Sequence, residues 1–180
     1  AELSLLDSLG VMEKESRRNG AKPLYQESDV AAAVALWQTV DYHQPVPLGD
    51  GHALLQTAHL VDDDESVLVI FGDCIYDSEV PAAKQLIDAY EEFRTPIIGL
   101  TEVEHSEVSK FGVIDGKKID ENTWQISRFV EKPKPEDAPT NIVAPGKYII
   151  TREVFETLAT MSDGKSGEIR LADAFDLMLE

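Results

Sequence analysis

Apolar positions along this 180-residue chain change period several times, and the changes mark out its elements. In residues 2–18, "ELSLLDSLGVMEKESRR", Leu3, Leu5, Leu6, Leu9 and Met12 fall near one helical face, and Asn19-Gly20 supplies a stop. From Asp29 the run "DVAAAVALWQTVDYHQ" turns from alanine-rich to β-branched and aromatic, which predicts a short helical turn and then a strand toward Tyr42. Asp50 is placed to cap a helix reaching about His59. "SVLVIFGD", residues 66–73, is then a continuous apolar run of the kind that a parallel sheet buries on both faces.

Ser78 is placed to cap the next helix, in which Val80, Ala83, Leu86, Ile87, Tyr90 and Phe93 recur at spacings of three and four. "TPIIGLTEV" returns as a strand. Strand, helix, strand predicts a right-handed crossover in a parallel α/β sheet, whose ligands sit beyond the carboxyl ends of the strands. "FGVID", "WQISRFVEK" and "GKYII" read as further strands, and "REVFETLA" and "EIRLADAFDLML" as helices. The proline-rich, charged "KPKPEDAP", residues 132–139, reads as an exposed loop and not as a domain boundary. With no internal repeat or low-complexity linker, residues 1–180 are expected to form one domain.

Composition narrows the classes. The chain is 43% apolar, which suits a folded core, and its net charge of -18, with a cluster at Asp62, Asp63, Asp64 and Glu65, excludes a nucleic-acid backbone as partner. Cys74 is the one cysteine, which excludes an internal disulfide and a cysteine-based zinc site and points to the cytoplasm. No apolar run has bilayer length and no basic-then-apolar leader opens the chain, so neither membrane insertion nor secretion is expected. The chain begins with Ala, which fits processing or a longer N-terminal part.

Several residues are candidates for chemistry. Asp73 ends the apolar run, where a carboxylate can hold Mg²⁺ if phosphates share its coordination sphere, or can simply serve as a loop residue. Glu131-Lys132-Pro133 ends "WQISRFV": the carboxylate can accept sugar hydroxyls and the ammonium can hold a phosphate, or the two form a surface pair. Gly112 can admit a flat ligand against the backbone or mark a bulge. The stretch "LGDGHALL", residues 48–55, is either a nucleotide-facing loop or an ordinary turn. His52 and His59 lack a third ligand in register, and Cys74 lacks a partner histidine.

Taken in order, "HQPVPLGDGHALL", "VLVIFGDCIYD", "KFGVID", "RFVEKPKPEDAPTNIVAPGKYIITREVF" and "SGEIRLADAF" resemble the bacterial UTP:glucose-1-phosphate uridylyltransferases, within the sugar nucleotidyltransferases. The resemblance runs from about Tyr42 to Glu180, with residues 1–40 a helical segment and strand lead-in. It implies a Rossmann-like, glycosyltransferase-A-like α/β fold: a mixed, mainly parallel sheet with flanking helices. It further implies that Gln44 reads the uracil edge, Gly51 approaches the base, Asp73 binds Mg²⁺, Gly112 and Glu131 contact glucose, and Lys132 holds the sugar phosphate. The implied reaction joins UTP and glucose 1-phosphate into UDP-glucose and pyrophosphate, in a homo-oligomer.

The sequence departs from that family in places. Nothing in residues 1–40 matches its glycine-rich triphosphate loop, and its C-terminal portion has no counterpart here, so turnover by this chain alone is not expected. Asp50 stands where relatives carry an apolar residue, and Arg170 and Ala172 replace a usual Gln and Thr. The alternatives are a relative using another nucleotide such as dTTP, and a non-catalytic module binding a sugar nucleotide or another subunit.

Overall fold

Among the described residues β-branched and aromatic runs form most of the strands, and helices begin at Ala82, after Pro81, and at Arg152, just after the strand Lys147–Ile150. The structure is a computed structural model that describes residues 44–161 and 167–179. The chain falls into two units, Ala1–His43 and Gln44–Glu180. The helix expected over 2–18 and the strand toward Tyr42 lie outside the described residues.

The described strands are β1 (Val67–Ile70), β2 (Ile97–Ile98), β3 (Thr101–Glu102), β4 (Gly112–Lys118), β5 (Trp124–Glu131), β6 (Ile142–Ala144) and β7 (Lys147–Ile150). The helices are α1 (Asp50–Leu55), α2 (Ala82–Phe93), α3 (Arg152–Thr160) and α4 (Leu171–Met178). One sheet has the order β1-β7-β2 and the other β3-β6-β4-β5. Pro145-Gly146 carries the chain from β6 in one sheet to β7 in the other.

The α/β alternation is present, but two expectations about the sheet are corrected. β1 and β2 run parallel to each other, yet β7 lies between them and is antiparallel to both, so every ladder among the described residues is antiparallel. β1 is not buried on both faces: Val69 alone is buried and Ile70 is 52% exposed. Among the described residues its one neighbour is β7.

Two helix starts and one length also differ. The helix after β1 begins at Ala82, because Pro81 follows Val80 and disfavours helical backbone there. Ser78 is no cap: its hydroxyl donates to the Val80 carbonyl at 2.7 Å. α1 stops at Leu55 and resumes as a 3-10 turn over Ala58–Leu60. Gln56 Nε2 donates to the His52 carbonyl and Thr57 Oγ1 to that of Leu54, and side chains that occupy helix carbonyls in this way end the ladder. Likewise, the last helix starts at Leu171 and not at Glu168.

The main core lies where α3 and α4 cover the sheets. Val154, Phe155 and Leu158 of α3 and Leu171, Ala174 and Phe175 of α4 are buried at helical spacing. They meet Tyr148 and Ile150 of β7, Ile114 of β4 and Phe129 of β5. Tyr148 links the aromatics, 5.6 Å from Phe71 edge-on and 5.6 Å from Phe175. Each large apolar side chain so buried stabilises the fold by about 1.5–3 kcal/mol, enough to fix the strand ends that carry the polar residues.

Candidate active site

The glycine loop is shaped by the segment it docks on. Ile169 N–H donates to the Leu48 carbonyl at 2.7 Å, and the Ile169 carbonyl accepts from His52 N–H at 3.2 Å. So close an approach leaves no space for side chains. Gly49 adopts φ +102°, and a Cβ on it would lie 2.4 Å from the Ile169 carbonyl oxygen. A Cβ on Gly51 would lie 2.6 Å from Leu158 Cδ2. Internal packing therefore accounts for both glycines, and buried Gly51 donates its N–H to Asp50 Oδ1 at 2.7 Å.

Asp50 does not cap its own helix. Its Oδ1 accepts the Leu171 N–H at 2.9 Å and so caps α4, supplying an acceptor to one of that helix's open amides. In front of this junction stands Gln44. Its Nε2 donates to the Gly49 carbonyl at 3.0 Å and lies 2.7 Å from His52 Nδ1.

A second group of predicted residues meets at the start of β4 and the end of β5. Gly112 pairs with Glu131, and a Cβ on the glycine would lie 2.3 Å from the Phe129 ring and 3.2 Å from Glu131 Oε2. Lys132 follows in left-handed backbone, φ 46°, held by its N–H bond to the Phe111 carbonyl at 3.1 Å. Buried Pro133 then ends the strand. The Lys132 ammonium is 3.7 Å from Glu131 Oε1 and largely in solvent.

Burial pushes the Glu131 carboxyl above the usual glutamate range; Lys132 and Arg170 pull it down, and Asp50 and Asp173 push it up. Those neighbours tie the two groups together. Asp50 belongs to the glycine loop, Arg170 and Asp173 to the start of α4, and all three act electrostatically on Glu131.

Asp73 stands beyond the carboxyl end of β1, exposed and without an ion pair among the described residues. Next to it, burial and the Asp73 charge push the Cys74 thiol up, which keeps it neutral. Lys147, 7% exposed, donates from Nζ to the Cys74 carbonyl at 2.6 Å and lies 4.3 Å from the Tyr76 ring centroid. Burial pushes the Tyr76 phenol up to about 12, and its hydroxyl has no hydrogen-bond partner among the described residues. Tyr148 sits between the two ends: burial raises its phenol, and Asp50, Glu131, Tyr76 and Cys74 all add to the rise.

Asp50, Lys147, Tyr148 and Asp173, which lie beside the candidate residues or act on them electrostatically, are not candidates from sequence. One signal was readable: a lysine inside the apolar strand "GKYII" has to be buried with a purpose. A cleft of about 800 Å³ lies elsewhere, between α2, β2 and the β4–β5 turn. It touches Tyr76 and Lys147 but none of Gln44, Asp73, Glu131 and Lys132. Among the described residues no group of three or more His, Cys, Asp or Glu side chains is arranged to hold a metal unaided. One carboxylate at a strand end, with no counter-charge, fits a Mg²⁺ shared with phosphates and nothing more demanding. No helix among the described residues is long and apolar enough to cross a membrane.

The nucleotidyl transferase family matches residues 4–180, and the chain belongs to it. It is 40% identical over 128 residues to UTP-glucose-1-phosphate uridylyltransferase 2 of Staphylococcus saprophyticus, covering 71% of this chain and 44% of that protein. It is 39% identical over 131 residues to UTP-glucose-1-phosphate uridylyltransferase YngB of Bacillus subtilis, covering 73% of this chain and 44% of the relative. A UDP-glucose pyrophosphorylase solved with UDP-glucose superposes with TM-score 0.72 at 32% identity, over 86% of this chain and 62% of that one. The chain thus spans under half the length of the curated relatives it matches. The Rossmann-like nucleotidyltransferase fold stands, with its antiparallel ladders as described.

Proposed function

We propose that this chain serves the transfer of a uridylyl group from UTP to glucose 1-phosphate, with residues 42–180 as a nucleotide- and sugar-binding core. A phosphate oxygen of glucose 1-phosphate attacks the α-phosphorus of UTP, the bond to the β-phosphate breaks, and pyrophosphate leaves. Such transfer needs positioning and charge neutralisation, not a covalent nucleophile, in keeping with the neutral Cys74 thiol.

The observation that carries the reading is the Gly112-Glu131-Lys132 corner, coupled through Asp50 and Arg170 to the glycine loop. There Glu131, the ladder partner of Gly112, accepts glucose hydroxyls, and Lys132 meets the sugar phosphate. Gln44 and the backbone around Gly51 face the uracil. Asp73 would hold Mg²⁺, which supplies charge neutralisation for the phosphates when bound. The sole cysteine and the triphosphate substrate agree with a cytoplasmic setting.

The test is calorimetric titration of the 180-residue chain with UDP-glucose, with and without Mg²⁺. Saturable binding that Mg²⁺ strengthens and Glu131→Ala weakens is expected. A chain that gives no heat with UDP-glucose, or a Glu131→Ala variant with unchanged affinity, overturns the reading.

A further inference from the structure

Gln44 carries an amide whose two ends differ in sign as hydrogen-bonding groups, so which end faces a ligand decides what it recognises. The Gly49 carbonyl, an acceptor only, lies 3.0 Å from Nε2 and requires the NH₂ end there. The same Nε2 lies 2.7 Å from His52 Nδ1, which must then accept. Gln56 Nε2, fixed by its bond to the His52 carbonyl at 3.2 Å, lies 3.3 Å from the other ring nitrogen. A neutral imidazole has one acceptor nitrogen, and the shorter contact takes it. The ring therefore carries its proton on Nε2.

Both hydrogens of the Gln44 amide are thus committed, and Oε1 remains as its free acceptor among the described residues. We propose that His52 is a positioning residue for base selection: it holds Gln44 so that only the amide oxygen is offered to the nucleotide. This rests on the reading of Gln44 as the residue that faces the base. An offered acceptor suits the N3–H of uracil or thymine and meets a lone pair at N3 of cytosine, where it repels. Without the imidazole the Gly49 carbonyl is the one described contact left to oppose a turn of the amide, so the NH₂ end, which suits cytosine, is offered more often.

The ring is itself anchored. His52 N–H is bound to the Ile169 carbonyl, and Gly51 before it is packed on Leu158, so Nδ1 is presented from fixed backbone. Fixed supports of this kind hold a recognition group within the tolerance that selectivity needs.

Two measurements on the 180-residue chain test this. In the ligand-free protein, long-range ¹H–¹⁵N correlation of the imidazoles, with His52 assigned by loss of its signals in His52→Asn, should show a proton on Nε2 and none on Nδ1. A proton on Nδ1 overturns the inference. Titration with UDP and with CDP should show a preference for UDP that narrows about tenfold in His52→Leu, one hydrogen bond's worth. His52→Asn, whose Oδ1 can accept where Nδ1 did, should restore it. An unchanged ratio in His52→Leu, with a changed one in Gln44→Ala, overturns the role of His52 alone. An unchanged ratio in Gln44→Ala overturns the reading of Gln44 itself.

Discussion

Asp50 Oδ1 accepts the Leu171 N–H at 2.9 Å, joining two residues 121 positions apart. The carboxylate that reads in sequence as the cap of its own helix caps α4 instead. Replacing a helix-capping side chain by alanine costs about 1 kcal/mol. Asp50→Ala should therefore lower the stability of the chain by that amount in urea unfolding, and Asp50→Asn, which keeps an acceptor, should recover most of it. Equal losses in the two variants would show that charge, and not the hydrogen bond, is what α4 uses.

Gly51 and Gly72 give a paired test of why the glycines are there. A Cβ on Gly51 meets Leu158 Cδ2 at 2.6 Å and the Ile169 carbonyl oxygen at 2.9 Å, whereas a Cβ on Gly72 meets nothing within 4 Å. Overpacking of a core typically costs about 1–3 kcal/mol. Thermal unfolding should show Gly51→Ala several degrees less stable and Gly72→Ala unchanged or slightly better. A tolerated Gly51→Ala would mean that the loop is not locked on Ile169.

What the sequence disclosed and what it hid follow from range. Periodicity located α2, β1, β4, β5, β7 and α3, because those patterns are local. The motif "RFVEKPKPEDAPTN" marked Glu131 and Lys132, and the structure brings Glu131 against Gly112 as a ladder pair. Strand order was not legible: nothing local says that β7, late in the chain, inserts between β1 and β2. The role of Asp50 was hidden for the same reason, since its partner Leu171 is distant in sequence. The glycines misled in one respect, because a glycine pair reads the same whether a ligand or the Ile169 backbone comes close.

Glu131 makes stability depend on pH. Burial raises its folded-state pKa above the unfolded value, so in the window between them the native state holds more protons than the unfolded chain. Its contribution is fully present below the ordinary glutamate value of about 4.3 and is lost as pH rises through the raised folded value. Glu131→Gln should flatten that part of the stability-pH curve and leave the protein as stable or more so at neutral pH. A steeper curve in the variant would reverse the sign of the shift.

Asp73 should behave in the opposite way to a core residue. It is exposed, unpaired with any described cation and at the end of β1, and surface substitutions of this kind stay within about 0.5 kcal/mol. Asp73→Asn should keep the wild-type Tm while removing the strengthening of UDP-glucose binding by Mg²⁺. Mg²⁺ dependence that survives in Asp73→Asn would move the metal assignment to another residue.

Lys132 separates backbone from charge. Its left-handed φ of 46° is a conformation that costs a side-chain-bearing residue about 1–2 kcal/mol and glycine nothing. Lys132→Gly should therefore be more stable than Lys132→Ala, by about 1 kcal/mol once the greater freedom of unfolded glycine offsets part of the relief. Both variants lack the ammonium, so both should lose affinity for glucose 1-phosphate to the same extent. If the two differ in affinity as they do in stability, the lysine serves the site through the turn it forms before Pro133. If affinity falls equally while stability does not, the charge on Nζ is what the sugar phosphate meets, and the strained turn is the means of presenting it beside Glu131.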